Sequence, residues 1–157
     1  MAMKFFQLKI LCSALMILQS LIFFGCSEQN INFENLPTPP NSQKGIKYPE
    51  FQTQILLSSN PIIAELKKTS NKVDSKFITF ENPTDWKTVV EFYDSQLKAK
   101  DFERKSEIPQ NKTSIDSAIY ESSRIFTTNQ KIILTLIEIK DSRTETKYDF
   151  LHLAYGS

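Results

Sequence analysis

Thr84-Asp85-Trp86-Lys87-Thr88-Val89-Val90-Glu91-Phe92-Tyr93-Asp94-Ser95-Gln96-Leu97-Lys98 is the stretch whose reading decides the fold. Trp86, Val89, Val90, Tyr93 and Leu97 recur at i, i+3, i+4, i+7 and i+11 and form one apolar stripe, the mark of a helix laid on a core. Lys87, Glu91, Asp94, Lys98 and Lys100 take the other side. Upstream, Asn82 offers an N-cap, Pro83 fits the first helical position, and Asp85 places an acid in the first turn. The helix is expected to stop near Lys100. Trp86, at this spacing, reads as a core residue.

On either side of the helix the period changes from 3.6 to 2. Lys76-Phe77-Ile78-Thr79-Phe80 reads as a strand leading into it. Ile62, Ala64 and Leu66 alternate with Glu65 and Lys67, so residues 62–68 read as a strand paired with it; a short helix opened by Asn60-Pro61 is the rival reading. After the helix come strands at residues 117–126, 131–139 and 148–155. Turns are expected at residues 127–130 and 140–147. Residues 131–139 are apolar on both sides, with Ile132, Leu134 and Leu136 on one and Ile133, Ile137 and Ile139 on the other, as in a central strand. The expectation is an α+β fold: an antiparallel sheet of about four to five strands with one main helix packed on one face, in two layers. Residues 46–157 suffice for one hydrophobic core and not for two.

Thr84 to Phe102 also resembles a segment of small uncharacterised bacterial exported proteins, in which a strand ending Thr-Phe precedes a helix with Val-x-Phe-Tyr-x-x-x-Leu and then Gly-Trp. Here Asp101-Phe102 stands in place of Gly-Trp. The resemblance implies the fold and no activity.

Before the domain, residues 27–45 hold polar residues, three prolines and isolated apolar residues, too few to build a core. They read as a flexible tether reaching about 60 Å if extended and nearer 25 Å as a coil. Phe33 and Leu36 are the residues of this stretch able to dock. Tyr48-Pro49 reads as the point where the chain joins the domain.

Further back, Lys4 and Lys9 are the only charges before Glu28, and residues 10–24 are mostly apolar. A basic start followed by an apolar run shorter than a membrane span is a secretory signal. Leu21-Ile22-Phe23-Phe24-Gly25-Cys26 resembles a bacterial lipoprotein signal, with Phe23 where Leu is usual and Phe24 where a smaller residue is usual. The resemblance implies cleavage after Gly25 and a diacylglycerol thioether on Cys26, with further acylation (palmitate among the chains) of the new amino group. An uncleaved signal anchor is the alternative. Two or more acyl chains hold a protein at a bilayer where one holds it only marginally. Ser27, in place of an Asp there, favours the outer membrane if the cell has one. The organisation expected is thus a signal at residues 1–25, a lipidated cysteine and tether at 26–45, and one domain at 46–157.

Residues 1–25 contain two of the 19 Lys and Arg and none of the 18 Asp and Glu, so the chain beyond them has a net charge near −1. That balance gives no basic face for nucleic acid. Both cysteines, Cys12 and Cys26, precede the domain, which therefore has no disulfide, thiol nucleophile or cysteine metal site. His152 is the one histidine. Its odd separation from Asp149 in a strand points the two to opposite sides, against a dyad. Glu121 and Glu138 are the acid pair considered and read as solvated charges rather than a glycosidase pair. After Gly25 the only glycines are Gly45 and Gly156, so no phosphate loop exists. Tyr48, Tyr120, Tyr148 and Tyr155 are the candidate binding aromatics, with Phe51 beside them, although half-buried sheet positions are the plainer reading. No cofactor, metal or nucleic acid is expected. The reading is a non-catalytic, lipid-anchored envelope protein that binds or organises an envelope component, with an envelope hydrolase or a surface-tethered enzyme inhibitor as alternatives.

Overall fold

The structure, a computed structural model, describes residues 31–109, 115–123 and 130–157. Gly25, Cys26, the end of the strand expected at residues 117–126 and all but Gln130 of the turn expected at residues 127–130 lie outside them. Six strands form one fully antiparallel sheet: β1 (Ser42–Lys44), β2 (Val73–Phe80), β3 (Phe102–Pro109), β4 (Ile115–Ser122), β5 (Lys131–Lys140) and β6 (Lys147–Gly156). Their order across the sheet is β1-β2-β6-β5-β4-β3. Among the described residues two α-helices join them, α1 (Gln52–Thr69) and α2 (Trp86–Lys98).

The α+β class and the antiparallel sheet agree with the sequence, and three details differ. Six strands stand where four to five were expected, because β1 and β3 carry too few apolar residues to announce themselves. β3 is an edge strand in which Phe102 is followed by Glu103, Arg104, Lys105 and Ser106, and its pairing with β4 shifts register between Arg104 and Ser106. Charge and a bulge are what an exposed edge needs. Residues 62–68 are the end of α1 and not a strand. Ile55, Ser59, Ile62 and Leu66 follow helical spacing over a longer window than the alternation of residues 62–67. Pro61 sits inside α1 on its exposed side, where the carbonyl it leaves without an N–H donor is not sealed from water.

The third difference is the number of layers. α2 buries Val89, Val90, Tyr93 and Leu97 against Ile78, Tyr120, Ile132, Leu134, Leu136, Leu151 and Leu153 on one face of the sheet. On the other face α1 packs Ile55 onto Ile137, Ile139 and Phe150, and Leu66 onto Ile133 and Ala154. The sheet is covered on both faces, giving three layers in place of two.

α2 starts one turn later than the proline suggests. Asp85 is its N-cap: Oδ1 accepts from the Thr88 amide at 2.9 Å and Oδ2 from the Thr88 hydroxyl at 2.6 Å.

The compact unit begins at Ile31 rather than at residue 46. Phe33 and Leu36 are buried in the α2-side core, and Phe33 stacks on Tyr155 at 5.6 Å. Lys76 on β2 gathers the carbonyls of Phe33 (2.9 Å), Leu36 (3.0 Å) and Glu34 (3.4 Å) with its ammonium. The Tyr93 hydroxyl donates to the Pro37 carbonyl at 3.1 Å. The polar, proline-rich stretch read as a tether is therefore a strap from Ile31 to β1, because its few apolar residues meet a ready core and its bare carbonyls meet donors. Asn41 and Gly45, both at positive φ, flank β1. At Gly45 (φ 93°) the chain crosses the sheet edge, and Thr79 pins the crossing by donating to the Gly45 carbonyl at 2.7 Å while accepting from the Lys47 amide at 3.1 Å.

Replacing Lys76 by Met keeps the stem and removes the donor. Hydrogen bonds to charged groups contribute about 1.5–3 kcal/mol each at most. Lys76→Met should lower stability by about 1–3 kcal/mol in denaturant titrations, and limited proteolysis should cut residues 31–41 before the rest. An unchanged cleavage pattern would show that the strap is held by Phe33 and Leu36 alone.

Candidate functional site

The four candidate tyrosines do not come together. Tyr120 and Tyr155 are buried on the α2 face, at 1% and 6% exposure. Tyr48 and Tyr148 do meet, on the α1 face at the start of that helix. Their ring centroids are 4.7 Å apart at 62°. Phe51 lies 5.0 Å from Tyr148 and 6.2 Å from Phe150. These rings are half-buried around the buried Phe150, in the edge-to-face and tilted contacts that aromatic pairs prefer. Lys47 places its ammonium 5.7 Å from the Tyr48 ring centre. The corner closes the sheet end under α1 and leaves ring edges at the surface.

A second constellation was not singled out in the sequence. Asp94, on the polar side of α2, accepts from the Tyr120 hydroxyl at 2.8 Å through Oδ1 and pairs with Arg104 at 3.2 Å through Oδ2. Burial and the Asp94 carboxylate push the Tyr120 phenol upward from its ordinary pKa. These residues, with Lys98 and Ser123, border an open cleft of about 700 Å³. Both carboxylate oxygens are occupied, so the triad braces α2 to β3 and β4; the cleft offers charges of both signs. The i, i+1 step from Tyr93 to Asp94 gave no sign of this, since Arg104 and Tyr120 arrive from other strands.

His152 is fully buried beneath α1. It stacks on Phe77 at 4.8 Å and 22° and stands opposite Thr135 in β5. Neither ring nitrogen has a hydrogen-bond partner. Burial lowers its pKa from 6.5 to about 4. Asp149 points to the opposite face, where Oδ2 accepts from the Thr84 amide at 2.6 Å and burial raises its pKa. Glu121 and Glu138 are likewise on opposite faces, each paired with a lysine: Lys131 at 3.1 Å and Lys147 at 3.0 Å. No group of three or more His, Cys, Asp or Glu able to hold a metal ion occurs among the described residues. Nor is any helix among them long and apolar enough to cross a membrane.

No family model, curated protein or solved structure matches the chain.

The unfolded chain takes up a proton at His152 as pH falls below about 6.5, whereas the folded chain resists until about 4. Native stability should therefore fall through that window, by about 2 kcal/mol between pH 7 and pH 5. His152→Leu removes the group and should flatten this part of the profile. Urea midpoints of both proteins at pH 7 and pH 5 give the difference. Equal slopes would mean that the ring protonates in place.

Proposed function

We propose that this chain is a lipid-anchored protein of the bacterial cell envelope that binds or organises another envelope component without catalysing a reaction. The anchor is a diacylglycerol thioether on Cys26, exposed by cleavage after Gly25. The outer membrane is favoured if the cell has one. The observation that carries the non-catalytic reading is the burial of His152: the one histidine is sealed between the sheet and α1, out of reach of any substrate. The position of Glu121 and Glu138 on opposite faces supports it too, since a glycosidase needs its two carboxyl groups within about 10 Å across one cleft.

Docking of the strap sharpens the anchoring. Only residues 27–30 separate Cys26 from Ile31, a reach of at most about 18 Å of extended backbone. Ile31, where the strap begins, then stays within that distance of the surface that holds Cys26.

Metabolic labelling of the full chain with an alkyne fatty acid should mark the parent and fail to mark Cys26→Ala. In-cell cross-linking followed by purification should recover a discrete envelope partner with the parent and lose it with Cys26→Ala. Undiminished label and wholly membrane-bound Cys26→Ala protein would replace the lipid anchor with an uncleaved signal.

A further inference from the structure

Leu57 and Leu56, 67% and 38% exposed, are the exposed large apolar side chains among the described residues, and they are neighbours on α1. Ile55, Ser59, Ile62 and Leu66 turn toward the sheet, so the opposite stripe runs through Thr53, Leu57, Pro61, Ala64 and Lys68. From Phe51 to Ala64 the chain carries no charge. The charges gather at the ends, with Glu50 just before the helix and Glu65, Lys67 and Lys68 in its last turns. Glu65 is already paired to Lys68 at 2.6 Å. Lys47, near the start, lies over the Tyr48 ring.

We propose that this face of α1 joins two copies of the chain, the helices antiparallel about a two-fold axis near residue 59. Residues equidistant from that point then meet: Leu57 of each copy packs on Pro61 of the other, and Glu50 of each faces Lys68 of the other. A two-fold contact uses the same patch twice, so the patch must complement itself. An uncharged centre with Glu50 at one end and Lys67 and Lys68 at the other does so only when antiparallel. The parallel arrangement would set Glu50 against Glu50 and Lys68 against Lys68. Pro61 withholds an N–H from the Leu57 carbonyl, leaving an acceptor on the contact face. The strap and α2 occupy the other side of the sheet, away from the contact. The inference rests on the fold and is independent of the lipid anchor.

The test uses the full chain in intact cells, with Asn60→Cys placing a thiol next to the axis. A membrane-permeant bis-maleimide should yield a product of twice the monomer mass. Ser95→Cys, on α2, and the parent, with only its natural Cys12 and Cys26, should not. Adding Leu57→Glu or Ala64→Arg to Asn60→Cys should abolish the product. Glu50→Lys should weaken it and Glu50→Lys with Lys68→Glu should restore it. Leu57 and Ala64 are exposed, and unchanged thermal unfolding confirms that these variants stay folded. A dimer yield no higher than that of Ser95→Cys, a yield unaffected by both disrupting variants, or an adduct of a different mass would overturn the proposal.

Discussion

β5 and β6 carry apolar side chains on both of their faces, and this constraint organises the molecule. Along β5, Ile132, Leu134 and Leu136 point one way and Ile133 and Ile137 the other; along β6, Leu151 and Leu153 oppose Phe150 and Ala154. At roughly 1.5–3 kcal/mol for each large side chain removed from water, neither face can be left bare. α2 and the strap close one, α1 the other. The outer strands serve these two: β4 and β3 widen the floor for α2, and β2 with β1 gives the chain an edge to cross. The connection from strap to α1 has to pass around β1, which is why a positive-φ residue and a buried threonine sit there.

The sequence was legible where one period ran uninterrupted. The stripe of α2 and the two-sided β5 are of that kind. Two-sidedness in β5 also implied a cover for each face, an implication that a two-layer expectation leaves unsatisfied. α1 was obscured because its core residues Ile55, Ser59, Ile62 and Leu66 include a serine, and because Pro61 suggests a helix start when it is in fact an exposed interior position. The strap was obscured for a different reason: its docking depends on Lys76, forty residues downstream, and no local pattern encodes that. The candidate site follows the same division. The separation of His152 from Asp149 follows from strand parity, while the meeting of Asp94, Arg104 and Tyr120 depends on three elements converging.

The half-buried Lys76 and Asp94, the buried Thr79 and the Tyr93 hydroxyl join segments distant in sequence, each bond fixing where one element lies on another. His152 joins nothing. Its nitrogens are left without partners, a desolvation cost of about 1–3 kcal/mol that a leucine would not incur. The flat ring fits against Phe77, and its neutral form is the one the site accepts.

The strap changes how the molecule answers to tension. A pull on the chain ahead of Ile31 meets the Lys76 clamp and the docked Phe33 first, and loads the strand ladder only after β1 has come away. Peeling residues 31–44 would pay out roughly 45 Å of backbone and would take Phe33 and Leu36 out of the α2-side core while the α1-side core stayed covered. The strap is therefore a length of chain held in reserve, released only when the Lys76 clamp and the docked Phe33 and Leu36 give way together.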